Sequence, residues 1–236
     1  MTQRGTAKFY KTVAVAPEGD SYAIRLDGKP LKTPARATLL LPTRALADAI
    51  AREWGEAGER LDPSFMPLTR LAFAATDAVT SHRARLADDI LAFGRSDLLC
   101  YRAESPDALV ARQAAAWDPL LAWVRDTLGA ELETGAGIVF VSQPEDALAI
   151  LRREVDSFDH FALAALHGAA SITGSLVLAM ALARERLTSA ETFDLSRIDE
   201  TFQAEAWGRD AEAEARAARL ARELEAIDRF LRMLRA

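Results

Sequence analysis

Between residues 8 and 41 apolar and polar positions follow a period of two, the mark of half-buried strands. Phe9, Lys11, Val13 and Val15 alternate with Tyr10, Thr12 and Ala14, and Tyr22, Ile24 and Leu26 share one face of a second strand. Pro17-Glu18-Gly19-Asp20 predicts a turn, and Asp27-Gly28 supplies the positive φ of a tight hairpin. Pro30 and Pro34 lack amide donors, which suits the segment carrying them to a sheet edge. Thr38 to Leu41 read as one more short strand. At Pro42-Thr43 the period lengthens to that of a helix. Leu46, Ala49, Ile50, Trp54 and Ala57 form its apolar stripe, Thr43 is placed to cap it and Gly58 to end it. The prolines of Leu61-Asp62-Pro63-Ser64-Phe65-Met66-Pro67 interrupt any regular element. They predict a boundary between a small α+β domain over 1–62 and a helical domain over 63–236.

Beyond that boundary the helical period dominates. Leu68, Leu71, Ala72, Ala75 and Val79 form one stripe, and Leu86, Ile90, Leu91 and Phe93 the next. Residues 95–102 form a connector with an apolar middle. Ser105-Pro106 predicts a helix start, with Leu109, Val110, Gln113 and Trp117 on it, a restart at Asp118-Pro119 and an end at Gly129. Residues 130–141 alternate around Gly135 and Gly137 as a small hairpin would, and Pro144 begins a helix with Leu148, Leu151 and Val155 inward. Thr188-Ser189-Ala190-Glu191 has the spacing of a capping box. The helix it opens carries Leu195, Ile198 and Phe202 and stops at Trp207-Gly208. Asp210 is placed to cap the last helix, whose seam runs through Ala213, Ala217, Leu220, Leu224, Ile227, Leu231 and Leu234.

The stretch Phe161 to Ala183 stands apart because it is apolar on every side and its only titratable side chain is His167. A helix of that kind has to be buried, in a core or in a bilayer. At 1.5 Å per residue it would be about 35 Å long, enough to span a membrane. Yet Gly168, Ser171, Thr173, Gly174 and Ser175 make a poor lipid-facing surface. The pattern predicts a central protein helix sheathed by its neighbours, and no membrane insertion.

Composition narrows the function classes. Half of the residues are hydrophobic and 27% are charged, the balance of a soluble globular chain. The single cysteine, Cys100, excludes an internal disulfide and a cysteine-built metal site. The N-terminal residues contain no apolar run of signal-peptide length. The net charge of −6 is unevenly spread. Residues 1–36 carry seven Lys or Arg against three acids, whereas residues 191–214 carry eight acids against Arg197 and Arg209. The basic cap is too small and too poor in clustered arginine for nucleic acid.

Candidate chemistry is sparse. No phosphate-cradling loop, zinc-protease pair, nucleophile elbow or dinucleotide fingerprint is present, so no cofactor and no small-molecule substrate is expected. His160 and His167 share a helix face without a third matched ligand, so no metal is expected either. Ser171, Thr173 and Ser175 most simply return their hydroxyls to the carbonyl one turn back. The pointed constellation is the run from Asp199 to Asp210. Three readings of it stand side by side: paired carboxylates of a hydrolase or lyase, a recognition surface with Trp207 as aromatic anchor, and a solvated helix end.

Eight segments then occur in one order: Lys8-Phe9-Tyr10-Lys11, LDGKPLKTP (26–34), LPTRALADAIAREW (41–54), MPLTRLA (66–72), SDLLCYRA (96–103), RQAAAWDPLLAW (112–123), TGSLVLAMAL (173–182) and DETFQAEAWGRDAEAE (199–214). Together they resemble the assembly chaperone family of the F-type ATP synthase that handles the α subunit. The resemblance covers nearly the whole chain. It implies a fold in the α+β class, a small N-terminal β-rich α+β domain followed by a larger multihelical domain. It implies a non-catalytic function: holding the free α subunit and shielding its interface until the β subunit replaces it. It implies Glu200, Glu205, Trp207 and Asp210 as partner-binding residues, with Glu53 and Trp54 second, while Leu98 to Arg102 pack the domain junction. The absence of a targeting extension, compared with mitochondrial members, leads to the expectation of a bacterial, cytoplasmic protein.

Overall fold

The N-terminal alternation becomes an antiparallel meander built on one strand. The computed structural model describes residues 6–236, the side chains of 78–81 excepted. Strand β1 (Thr6–Ala7) is short, and β2 (Val13–Glu18) pairs along its whole length with β3 (Ser21–Leu26). The register sets Glu18 against Ser21, so the turn falls on Gly19-Asp20. Pro17, expected within the turn, lies inside β2 opposite Tyr22. Asp27 and Gly28, with φ of 49° and 80°, make the two-residue turn into β4 (Lys29–Pro30). Strand β5 (Leu40–Leu41) shares the second edge of β3 with β4, beside Tyr22 and Ala23.

Helix α1 (Arg44–Glu56) begins where Thr43 Oγ1 accepts the Leu46 amide at 3.2 Å. It buries Leu46, Ala47, Ala49, Ile50 and Trp54. Side chains of the size of Leu46 and Ile50, both fully buried, contribute about 1.5–3 kcal/mol each. The helix stops at Ala57, one residue before the expected glycine. Strand β6 (Arg60–Leu61) then pairs with β1, and a 3-10 turn over Pro63–Phe65 leads into α2 (Pro67–Ala74). One π turn, Ala75–Val79, joins α2 to α3 (Thr80–Arg95).

The rest is helical. After a 3-10 turn at Leu98–Cys100 and β7 (Tyr101–Arg102) comes α4 (Asp107–Leu128). The expected restart at Pro119 does not occur, and α4 runs through it to Gly129. A proline inside a helix costs about 3 kcal/mol. Burial of Trp117, Leu120 and Val124 on the inner face supplies more than that. The hairpin expected over 130–141 is absent: β8 (Gly135–Ala136) pairs in parallel with β7 instead. Next come α5 (Glu145–Ser157), with Leu148, Leu151 and Val155 buried, and α6 (His160–Thr173). Then follow α7 (Leu176–Ala183), α8 (Ser189–Leu195), α9 (Ile198–Trp207) and α10 (Ala211–Met233). The capping box at Thr188 and Glu191 is present. The helix it opens ends at Ser196 rather than continuing to Trp207.

The uncharged stretch is largely interior, although Ser171 is exposed, and it is two helices, not one. Gly174, at φ 69°, breaks it. Ser175 Oγ then accepts the Leu178 amide at 3.0 Å as the cap of α7, instead of bonding one turn back. Thr173 does bond back, donating to the Ala169 carbonyl at 2.8 Å. Every residue of α7 is buried. Asp97, wholly buried, ties the start of α7 to the 3-10 turn at Leu98–Cys100: one carboxylate oxygen accepts the free amide of Val177 at 3.0 Å and the other Leu99 N at 3.1 Å. Gly94 admits a close approach to α7, since a Cβ there would stand 3.1 Å from Leu176 Cδ2. Among the described residues no helix is long and apolar enough to cross a membrane.

Contacts divide the chain into two compact units. The first holds the described residues of Met1–Arg83 with His160–Ala165 and Arg229–Ala236. The second holds Ala84–Asp159 and Leu166–Asp228. The sheet-bearing region thus precedes a larger, mostly helical one, as the α+β reading expects.

Candidate functional site

In the second unit, α9 carries the acidic block on a helix fixed from one side. Asp199 and Glu200 occupy its first turn, where the helix dipole favours negative charge. Gln113, 1% exposed on α4, donates to Asp199 Oδ1 at 2.6 Å and accepts the Ala103 amide at 2.8 Å. Trp117 of α4 donates its indole N–H to the Leu195 carbonyl at 2.9 Å, just before α9 begins. A buried glutamine with both ends satisfied sets orientation well, because any shift leaves a polar group unpaired.

Outward from that anchor the block opens to solvent. Glu200 pairs with Arg197 at 3.0 Å, and Glu205 with Arg112 at 2.8 Å. Both pairs are exposed and worth at most about 1 kcal/mol each. Gly208, at φ 97°, ends α9, and Asp210 Oδ1 accepts the Ala213 amide at 2.7 Å to start α10. Trp207 stands at that corner 81% exposed. It borders an open cleft of about 500 Å³ whose walls include Phe193, Ala204 and Ala217. Glu200, Glu205 and Asp210 line the same cleft, so the four residues expected from the block share one surface. The expected seam of α10 is only half used: Leu224, Ile227 and Leu231 are buried, whereas Ala213 is exposed.

Glu53 and Trp54, the second pair expected, lie in α1 of the first unit. Trp54 is 6% exposed and donates its indole N–H to Thr69 Oγ1 at 3.2 Å. Glu53 accepts the amides of Leu68 and Thr69 at 2.8 and 2.9 Å, and so caps the start of α2. Burial raises its carboxyl above the usual range, opposed by those bonds and by Arg229.

The hydrolase or lyase reading requires carboxylates converging in an enclosed cavity. Glu200 and Glu205 instead sit on an open face, each neutralised by its own arginine. Among the described residues no group of three His, Cys, Asp or Glu side chains is placed to hold a metal ion.

Comparison with known proteins shows the family and the fold. Residues 7–125 match the ATP12 chaperone protein family. The crystal structure of Atp12 from Paracoccus denitrificans superposes with a TM-score of 0.92 at 43% identity, covering 97% of this chain and 98% of that one. The chain belongs to the ATP12 chaperone protein family. It is the family of ATP synthase assembly chaperones that the sequence motifs resemble. A second bacterial structure, the Atu1473 protein of Agrobacterium tumefaciens, matches at the same TM-score and identity over 97% of this chain and 86% of its own. The mitochondrial protein atp12 of Schizosaccharomyces pombe is 25% identical over 224 residues, 88% of this chain and 76% of its own.

Sequence reasoning did not assign Arg112 or Gln113 to the ATP12 block. They lie 93 and 86 positions from Glu205 and Asp199. The one signal available was their place in the RQAAAW segment, a glutamine on the apolar stripe of α4.

Proposed function

We propose that this ATP12 chaperone holds the free α subunit of the F-type ATP synthase and shields its interface until the β subunit replaces it. The contact surface in this reading is the cleft at the α9–α10 corner, with Trp207 as anchor and Glu200, Glu205 and Asp210 around it. The observation that carries it is an 81% exposed tryptophan at the C-terminal end of a helix whose first turn is tied down by Gln113. Exposed aromatic anchors ringed by polar groups are the usual energetic centres of protein interfaces. An unassembled subunit presents an apolar interface that would otherwise self-associate. Surface charge favours fast encounter, and a modest contact area leaves the complex open to displacement by an obligate partner.

Glu53 and Trp54 support this surface less, since their bonds are made inside the first unit. A bacterial cytoplasmic setting is supported by the two bacterial relatives at 43% identity. Co-expression with the α subunit tests the proposal: the chain should keep α in the soluble fraction and be recovered with it. An α subunit that precipitates equally with and without the chain would sink it.

A further inference from the structure

The first unit bears a second surface that the acidic cleft does not explain. Two adjoining hollows of about 720 and 690 Å³ share Phe9, Pro34, Trp54 and Phe73 in their walls. One continues along Tyr10 and Leu31, the other along Pro63 and Met66, so together they form one apolar groove. Volumes of this size suit the enclosure of bulky apolar side chains. Phe9 at its edge is 67% exposed, and Phe65, in the same turn as Pro63, is 80% exposed.

The groove wall is fixed by bonds within the unit. Tyr10 donates its hydroxyl to the Trp54 carbonyl at 2.6 Å, the two rings lie 5.5 Å apart, and the Trp54 indole is held by Thr69. A wall ordered in advance spares a partner the cost of ordering it.

The rim is positive. Lys29 and Lys32 line one hollow and Arg70 the other, and among the described residues no carboxylate forms an ion pair with any of the three. Lys8 sits over the Tyr10 ring at 5.0 Å. The acid on the groove wall is already engaged: Asp27 accepts the amides of Lys11 and Thr12 and the Thr12 hydroxyl. Asp77 accepts the Ala35 amide beside Pro34.

We propose that this groove docks a segment of the client α subunit in which apolar side chains are flanked by carboxylates. The apolar side chains enter the hollows beside Phe9 and Phe73, and the carboxylates meet Lys29, Lys32 and Arg70. This inference rests on the client reading above. It gives the chaperone two grips of opposite charge on two units, the acidic one at Trp207 and this basic one. Rim charges of this kind act mainly on encounter and selectivity, and salt weakens them.

The test uses the full chain with purified α subunit. Phe9→p-benzoylphenylalanine, at an exposed position, should photo-cross-link to one segment of α containing apolar residues beside Asp or Glu. Lys29→Glu with Lys32→Glu should weaken binding on the order of tenfold. Phe9→Ser should weaken it comparably, and Phe9→Leu should restore it. Circular dichroism confirms that each variant is folded. If α stays bound with unchanged affinity in both the charge-reversed chain and Phe9→Ser, or if the cross-link lands on a basic segment, the groove inference is overturned while the client reading stands. If the unaltered chain fails to hold α at all, both fall.

Discussion

Glu53 holds Thr69 twice, accepting its amide at 2.9 Å and its hydroxyl at 2.6 Å. The same hydroxyl oxygen accepts the Trp54 indole N–H at 3.2 Å. Two neighbours on α1 therefore close on one residue of α2. Thr69→Val keeps the shape but leaves the Trp54 N–H buried without an acceptor, which costs about 1–3 kcal/mol. Glu53→Ala removes three accepted bonds and should cost about as much or more. Urea unfolding checks both, and a loss below about 0.5 kcal/mol in Thr69→Val would show that the indole finds another partner.

Asp97 makes stability depend on pH. Burial lifts its carboxyl to about 6, against the bonds it receives from Ser175, Val177, Leu99 and Leu176. The folded chain thus binds this proton more tightly than the unfolded chain, where the group titrates near 3.9. Its contribution is complete below about pH 4 and is lost as pH rises through 6, by about 3 kcal/mol. Asp97→Asn cannot titrate. The unfolding free energy of the natural chain relative to that variant should fall by about this amount between pH 4 and pH 7. A pH-independent difference would contradict the assignment.

Cys100 should be inert. Burial pushes its thiol up to about 12, with the nearby Asp97 charge adding to the rise. Thiolate is the reactive form, so iodoacetamide at pH 8 should leave the native chain unlabelled for hours and modify it within minutes in urea. Mass spectrometry reads the result directly.

Gly174→Ala isolates a backbone effect. A Cβ there meets nothing nearer than Leu98 Cβ at 4.0 Å, an ordinary contact. The cost is therefore conformational, about 1–2 kcal/mol for holding φ at 69°. Thermal unfolding should register it with no change in secondary structure content.

At the proposed interface, stability and binding should separate. Trp207→Ala removes an exposed side chain and should change folding stability by no more than about 0.5 kcal/mol. Recovery of the α subunit should nonetheless fall on the order of tenfold. Glu205→Lys sets a lysine against Arg112 and should also weaken recovery while leaving the circular dichroism spectrum intact. If both variants retain α normally, the cleft is not the contact.

What could be read from the sequence was local. Thr43, the Thr188–Glu191 box and Asp210 cap their helices because each acts on an amide three residues away. The Asp27-Gly28 turn is local for the same reason. The break at Gly174 was hidden because the uncharged stretch continues on both sides of Thr173-Gly174-Ser175, leaving no change of period to mark it. Pro119 predicts a restart because proline is disfavoured inside a helix, and the burial of Trp117 and Val124 overrides it. The β7–β8 pairing, the Gln113–Asp199 bond and the groove around Phe9 join distant parts of the chain, and no periodicity reports them. In the candidate site, one contiguous motif holds Glu200, Glu205, Trp207 and Asp210, which line one cleft, whereas Arg112 reaches Glu205 from 93 positions away with no local sequence signal to report it.

The half-used seam of α10 has a mechanical meaning. From Ala211 to Ala218 its residues are exposed or only partly covered, while from Leu224 onward the inner face is packed. A helical turn without tertiary neighbours is marginal, held by alanine-rich propensity and its Asp210 cap. The end nearest Trp207 is therefore the first part of the rod to unwind, and it can do so while the packed end stays shut. On the contact proposed above, fraying of this end would loosen one wall of the cleft and leave the packed half of α10 undisturbed.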